Sequence, residues 1–349
     1  MATFSSARHG VRLSNERRGG ASGTKKNRRS NLNGFLSFCR NVGELRPRFS
    51  EINPVAVQFY ASYLMAEGMR TATLPNVFSS IRVIFREAGR NIDEICSNSR
   101  LGIPRRSRSG TKRALTTEEV EALIVRCEQR GEVGLSLLIK LSRHLGLRRK
   151  EALMCARDLP MWRAAIVHGD NSLPTLRGTK NGRRRAIEIM EGERDQTLSA
   201  IDEALEYARE KDFKFISGGQ DNLKSAIGRM AYLLSSIGMR GEVSFHALRY
   251  SYAQTKAMEM LNAGVSPDET LVRVSESLGH GPSRIPMILA VYCQPLKPYF
   301  KGKLKPKKGE AHNRQPTKKI PRASLRIQVK AQHAQASGFP VGRIQPVHL

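Results

Sequence analysis

The chain has 349 residues with 59 Lys+Arg against 31 Asp+Glu, which gives a formal net charge of +28. This length fits about two domains, or one domain with tails, and a hydrophobic content of 40% excludes a wholly disordered basic protein. The charge favours a polyanionic partner, nucleic acid first and an anionic membrane surface second. Because no apolar run approaches about 18 residues and no secretory core is present, we expect an intracellular protein without a membrane span.

The cysteines and the short motifs exclude several site classes. The five cysteines are widely spaced and contain no Cys-x-x-Cys pair, which argues against a disulfide framework and a thiolate zinc site. The sequence also lacks a His-Glu-x-x-His motif and a Gly-x-x-x-x-Gly-Lys-Ser/Thr phosphate loop. We therefore expect no cofactor, neither a metal nor ATP.

Most of the net charge lies at the two ends. Residues 1–30 contain eight Lys/Arg and one Glu, and residues 301–349 contain twelve Lys/Arg and one Glu, so these segments hold 18 of the 28 net charges. Their Gly, Ser, Pro and Gln content predicts disordered basic tails, either solubilising or in contact with phosphates. The Arg- and Ser-rich N-terminus leaves a transit peptide as a minor alternative, although it has no convincing amphipathic stripe.

Residues 31–113 are predicted to form a small helical domain followed by a linker. Residues 31–96 show helical apolar spacing, with Asn53 as a helix N-cap, Gly68 at a helix end and a further helix from Leu74 to Ala88. Residues 97–113 combine Gly, Pro and Ser with a run of basic residues, which is typical of a linker. This linker predicts a domain boundary.

Residues 114–300 form the second predicted domain. Thr116 and Glu119 have the spacing of a capping box, which starts the first helix. Asn181-Gly182 lies between strand candidates at 173–179 and 185–190, so we expect a β-hairpin with Lys180 at its tip. Further helices are predicted at 116–129, 132–145, 195–210, 221–236, 247–262, 267–278 and 286–294. The sequence thus predicts a mainly α fold with a small β-hairpin.

Several polar residues of this domain have an ordinary explanation when they are considered singly. A basic residue in so positive a chain is usually solvated, a lone histidine is usually structural, and a tyrosine at helical spacing is usually part of a core. The order in which these residues occur along the chain favours a functional explanation over the ordinary one. Gly146-Leu147-Arg148, Glu151, the hairpin Lys180, His246-Ala247-Leu248-Arg249, Leu278-Gly279-His280 and Tyr292 follow one another over about 145 residues.

This series of motifs resembles the tyrosine recombinase (phage integrase) family. The resemblance implies a helical core-binding (SAM-like) DNA-binding domain at 31–96 and a catalytic domain at 114–300 that together clamp DNA. Two guanidinium groups can hold the non-bridging oxygens of a phosphodiester, and the candidates are Arg148 and Arg249. His246 can exchange a proton with the attacking phenol or bind the phosphate, and His280 can donate another hydrogen bond. The family resemblance makes Lys180 the general acid and Tyr292 the nucleophile.

Three further residues and the length of one interval qualify this assignment. We expect Glu151 to have a structural role, orienting an arginine, and Arg149 to be solvated or to contact the DNA backbone. The interval from His280 to Tyr292 is a few residues longer than is usual in the family, which predicts an extended loop before the tyrosine helix. Tyr299 is a rival nucleophile that lies outside that helix.

The resemblance implies a site-specific DNA recombinase that cleaves and rejoins strands through a 3′-phosphotyrosyl intermediate, without ATP or metal, to integrate or excise a mobile element. It implies double-stranded DNA as the partner, a homotetramer on DNA, and accessory DNA-bending or directionality proteins. It also implies a cytoplasmic, nucleoid-associated protein of bacterial, phage or mobile-element origin. Two alternatives stay open: a type IB topoisomerase-like relaxing enzyme and a non-catalytic DNA-binding protein of the same fold.

Overall fold

The structure, a computed structural model, describes residues 2–42, 52–105, 112–182 and 184–301. In these ranges the protein is mainly α-helical with a two-stranded antiparallel sheet, which confirms the predicted fold class. Contacts divide the chain into two compact units, and the described residues up to 105 belong to the first and those from 112 to the second. None of the helices in the described ranges is both long and apolar enough to cross a bilayer.

The first unit is built from four helices around an aromatic core. The side chain of Asn53 accepts a hydrogen bond from the backbone N–H of Val55 at 2.9 Å, so the predicted N-cap forms. Phe35, Phe78 and Phe85 are fully buried between the helices. These helices are α1 (Ala2–Arg17), α2 (Ser22–Val42), α3 (Pro54–Ala66) and α4 (Leu74–Glu87).

Two segments of this unit differ from the sequence prediction. The sequence predicts a disordered tail at residues 1–30, but residues 2–17 and 22–30 are helical because α1 packs on α4 and buries Val11. Arg18, which follows α1, donates from Nε to Glu87 at 2.6 Å. The predicted linker is also partly ordered, since Leu101 and Ile103 are buried in the core of this unit. The predicted C-terminal tail lies outside the described residues, apart from Lys301.

The second unit contains the remaining helices and the sheet. Thr116 and Glu119 form the predicted capping box at the start of its first helix. Two helices between residues 149 and 168 were not predicted, because the first has six residues and is too short to show a helical period. The helices are α5 (Thr117–Glu128), α6 (Val133–Leu145), α7 (Arg149–Met154), α8 (Leu159–His168), α9 (Arg194–Glu210), α10 (Leu223–Ser236), α11 (Ala247–Asn262), α12 (Pro267–Ser277), α13 (Ile285–Val291) and α14 (Lys297–Phe300).

The predicted β-hairpin is present with shorter strands. Strand β1 (Ser172–Thr175) pairs with β2 (Arg185–Glu188), and Leu173 lies opposite Ile187 on the buried face. The prediction that the strands approach Asn181-Gly182 closely is wrong, since β1 ends at Thr175, β2 begins at Arg185, and the 3₁₀ turn Lys180–Gly182 lies between them. The indole of Trp162, the only tryptophan of the chain, donates to the carbonyl of Pro174 at 2.7 Å and anchors β1 to α8.

Candidate active site

The first arginine of the site is placed by the end of α6. Gly146 caps this helix with φ +54°, and a Cβ atom here would come within 2.6 Å of the buried ring of Tyr252. The chain therefore turns sharply and places Arg148 immediately before α7. Arg148 donates from Nη1 to Glu151 at 2.6 Å and from Nη2 to the carbonyl of Leu278 at 2.7 Å. Its side chain keeps 21% exposure, so one edge faces solvent.

The second arginine lies within α11 and is fully buried. Arg249 donates from Nη2 to the carbonyl of Leu278 at 2.8 Å and from Nη1 to the carbonyl of Gly146. Its Nε–H has no partner among the described residues. Burial lowers the pKa of Arg249 to about 10, which still leaves the guanidinium charged at neutral pH. The carbonyl of Leu278, which accepts from both arginines, and the carbonyl of Gly146, which accepts from Arg249, thus bring the Gly-Leu-Arg and His-x-x-Arg motifs together.

Two histidines hold the hydroxyl of Tyr292. His280 Nε2 lies 3.2 Å from the Tyr292 oxygen, and His246 Nε2 lies 3.3 Å from the same oxygen. His246 stands at the N-cap of α11, one turn before Arg249, and His280 directly follows the Leu-Gly pair after α12. The ring of Tyr292 covers Arg249, whose Cζ lies 5.9 Å from the ring centroid.

Tyr292 lies at the end of α13, as the sequence predicted. Its backbone N–H donates to the carbonyl of Ile288 at 2.9 Å, which closes the last turn, and Tyr292 as a whole is only 4% exposed. The long interval after His280 contains the 3₁₀ turn Pro282–Arg284 and then α13. The ring of Tyr250 packs 4.8 Å from that of Tyr292, measured between centroids. The phenol is therefore fixed on several sides.

Lys180 lies at the edge of this cluster. It is exposed on the connection between β1 and β2, and its charge contributes to lowering the pKa of His280. The connection is held against α7 by Gly178, which has φ +73° and whose added Cβ would lie 2.5 Å from the carbonyl oxygen of Lys150. The position of Lys180 beside the cluster thus depends on a close backbone approach.

The electrostatics of the cluster keep its histidines neutral and its acid ionised. Desolvation, followed by the charges of Arg249 and Arg148, lowers the pKa values of His246 and His280 to about 4. Burial alone would raise the pKa of Glu151, but the charges and hydrogen bonds of Arg185 and Arg148 lower it to about 2. At neutral pH either imidazole can accept a proton, and Glu151 carries a full negative charge.

Arg185 also belongs to this cluster and was missed by the sequence analysis. It is the last of three consecutive arginines, and its side chain is only 2% exposed. It donates from Nη2 to Glu151 at 2.9 Å and to the carbonyl of Gly146 at 3.2 Å. The one available signal was its position at the start of a predicted strand, where side chains alternate between buried and exposed faces.

Two alternative residues lie apart from the cluster contacts. Tyr299 is 51% exposed on α14, whereas Tyr292 contacts both histidines. Arg149 is exposed at the first position of α7.

Glu151 is fully buried and accepts from Arg148, which agrees with the orienting role expected from the sequence. Within the described residues, no group of three or more His, Cys, Asp or Glu could hold a metal ion.

The arrangement has the chemistry of phosphoryl transfer to a phenol. A phenolic hydroxyl lies within hydrogen-bonding distance of two neutral imidazoles, and a guanidinium group lies under its ring. Guanidinium N–H groups stabilise negative charge that develops on phosphate oxygens.

Comparisons with known proteins find one family model and several solved structures of similar fold. The family model described as integrase matches residues 102–255. The chain is similar to a lambda integrase tetramer bound to a Holliday junction, with 20% identity and a TM-score of 0.52 over 81% of this chain and 76% of that one. It is also similar to the Tn1549 transposon integrase in complex with transposon right end DNA, with 16% identity and a TM-score of 0.50 over 93% and 99% of the two chains. No curated protein matches the sequence.

Proposed function

We propose that the chain is a site-specific DNA recombinase of the tyrosine recombinase (phage integrase) family, with Tyr292 as its nucleophile. The observation that carries the proposal is the position of the Tyr292 hydroxyl, which lies 3.2 Å and 3.3 Å from the Nε2 atoms of His280 and His246. A core tyrosine needs only one such partner to satisfy its hydroxyl.

In the proposed cleavage step, the Tyr292 oxygen attacks the scissile phosphorus and forms a 3′-phosphotyrosyl bond. Its proton passes to a neutral imidazole, His246 or His280, and the bond between phosphorus and the 5′ oxygen breaks. Lys180, exposed at the edge of the site, donates the proton that the leaving 5′ oxygen needs. Rejoining reverses these transfers with the 5′ hydroxyl of another strand, so no ATP is consumed.

The arginines stabilise the charge that develops on the phosphate. Arg148 presents its partly exposed edge, and Arg249 has a free Nε–H beneath the ring of Tyr292. Because Arg249 is fully buried under this ring, the phosphate reaches it only when the phenol shifts from its resting position. One preorganised donor of this kind contributes about 10²- to 10³-fold to the rate.

The proposed substrate is double-stranded DNA at specific sites, for the integration or excision of a mobile element. Strand exchange between two duplexes needs four active sites, so we propose a homotetramer on DNA, the assembly described for lambda integrase on a Holliday junction. The helical residues 31–96 would bind the core site, and accessory DNA-bending or directionality proteins would set the outcome. Such a protein acts where DNA is, in the cytoplasm at the nucleoid.

The test is to trap covalent protein–DNA adducts with wild type, Tyr292→Phe and the control Tyr299→Phe. Each protein is mixed with a pool of duplexes carrying a randomised centre, denatured, and the DNA that remains attached is sequenced. We expect clustered adducts with wild type and Tyr299→Phe and none with Tyr292→Phe, which loses only the phenolic oxygen. Undiminished adducts from Tyr292→Phe would refute Tyr292 as the nucleophile.

The same experiment separates the alternative functions. Adducts scattered over many sequences would favour a type IB topoisomerase-like relaxing enzyme, because relaxation requires no specific site. DNA binding without any adduct from wild type would favour a non-catalytic DNA-binding protein of this fold.

A further inference from the structure

Arg185 connects three segments of the second unit that are distant in sequence. Its guanidinium donates to the carboxylate of Glu151, to the carbonyl of Gly146 at the end of α6, and to the carbonyl of Ser277 at the end of α12. These acceptors lie 34, 39 and 92 residues away. A side chain that is 2% exposed cannot contact a DNA phosphate directly, so any part in the reaction is exerted through its neighbours.

The carboxylate of Glu151 is shared by three guanidinium groups. The shortest distances to its oxygens are 2.6 Å from Arg148, 2.9 Å from Arg185 and 4.0 Å from Arg249. Glu151 is fully buried and ionised, so it must be balanced by cations at short range. The cluster contains three positive charges and one negative charge, which leaves a net +2 beside Tyr292.

The three arginines differ in where they can act. Arg148 is the one with an exposed edge, at 21%, whereas the side chains of Arg185 and Arg249 are 2% and 0% exposed. If Arg185 were absent, Arg148 would be the one guanidinium group hydrogen-bonded to Glu151, and most of its charge would be neutralised by that carboxylate. Arg185 approaches the carboxylate at Oε2, while the Nη1 of Arg148 binds Oε1.

We propose that Arg185 is a positioning residue of the recombination reaction: it balances Glu151 from the protein interior and thereby leaves the charge of Arg148 available to the scissile phosphate. This inference rests on the proposed function. It assigns a role to a residue that touches no substrate, and it makes the net charge of the cluster, rather than the packing of one side chain, the quantity that matters for catalysis.

The decisive experiment compares the single variant Arg185→Met with the double variant Arg185→Met/Glu151→Gln. Arg185→Met lowers the net charge of the cluster from +2 to +1, and the added Glu151→Gln restores +2. At saturating DNA, using the duplex that wild type selects from the randomised pool, we expect Arg185→Met to form adducts about 10- to 100-fold more slowly, as for outer-shell partners of metal ligands. We expect the double variant to recover about tenfold of that loss.

A purely structural role gives the opposite pattern, because a second substitution in a buried network then adds damage and leaves the double variant slower than Arg185→Met. Arg163→Met serves as the control, since Arg163 lies on α8 and pairs with Asp202 outside the cluster. Its adduct rate should equal that of wild type. Arg185→Lys keeps the charge and should stay within about tenfold of wild type.

The outcomes separate this inference from the proposed function. Adducts from wild type together with an undiminished rate in Arg185→Met, or a double variant no faster than Arg185→Met, overturn the inference alone. No adduct from wild type overturns the proposed function and this inference with it. If Arg185→Met does not fold, the double variant decides: a rate within about tenfold of wild type supports the inference, and a rate below about a hundredth overturns it.

Discussion

Replacing Arg249 by methionine should remove catalysis while leaving the fold intact, although this arginine is fully buried. Its two carbonyl acceptors each have a second donor, since Gly146 O also accepts from Arg185 at 3.2 Å and Leu278 O also accepts from Arg148 at 2.7 Å. Glu151 keeps its closer partners, because Arg249 lies 4.0 Å from it. The substitution therefore removes the last hydrogen-bond partner of none of the acceptors of Arg249.

The expected changes in the free energy of unfolding and in the adduct rate follow from these shared carbonyl acceptors. The loss of two hydrogen bonds costs about 1 kcal/mol each, and this cost is offset by the desolvation penalty that an apolar side chain avoids on burial, since Glu151 keeps two closer cationic partners. These contributions largely cancel, so the free energy of unfolding should change by less than about 2 kcal/mol. The adduct rate should fall about 10²- to 10³-fold, since one oxyanion donor contributes about 2.7–4 kcal/mol.

Both quantities can be measured on the same protein. Urea unfolding followed by the fluorescence of Trp162 reports on the second unit, because this single tryptophan is fully buried in its core. Adduct formation is timed on the duplex selected by wild type, with Arg163→Met, an exposed arginine paired with Asp202, as the control. A destabilisation above about 3 kcal/mol would contradict the shared-acceptor argument, and an adduct rate within tenfold of wild type would remove Arg249 from the active site.

Two further predictions concern the histidines and the hairpin connection. With pKa values near 4, His246 and His280 are neutral at pH 7, so kcat/KM for adduct formation should stay flat from about pH 8 to 6 and fall only below about pH 5. Between pH 4 and 6.5 these two histidines bind more protons in the unfolded chain than in the folded one, so the free energy of unfolding measured in urea should rise with pH in that window. A fall of kcat/KM with a midpoint at pH 6.5 would contradict the lowered pKa values. Gly178→Ala introduces a Cβ within 2.5 Å of the Lys150 carbonyl at φ +73°, so it should displace Lys180 and slow adduct formation about 10²-fold. Gly182→Ala, where an added Cβ meets nothing within 4 Å, is its control, and equal rates in the two variants would show that the connection is not held at Gly178.

Local sequence signals predicted most of the helix starts. Asn53 and the pair Thr116 and Glu119 cap helices in the structure as their spacing indicates, because a cap depends on atoms within a few residues of each other. The hairpin strands were predicted too long. Residues 176–179 leave the sheet because Gly178 packs on α7, a contact between segments that no local pattern encodes.

The order of the motifs is a property of the chain, and it was sufficient to nominate Arg148, Lys180, His246, Arg249, His280 and Tyr292. Each of these residue types has a chemical reason to be near a phosphate, so their succession was informative without coordinates. The tertiary structure decided that Arg185 enters the cluster. The pairing of Thr175 with Arg185 directs this side chain inward, where carbonyls from distant segments and Glu151 offset the cost of burying its charge.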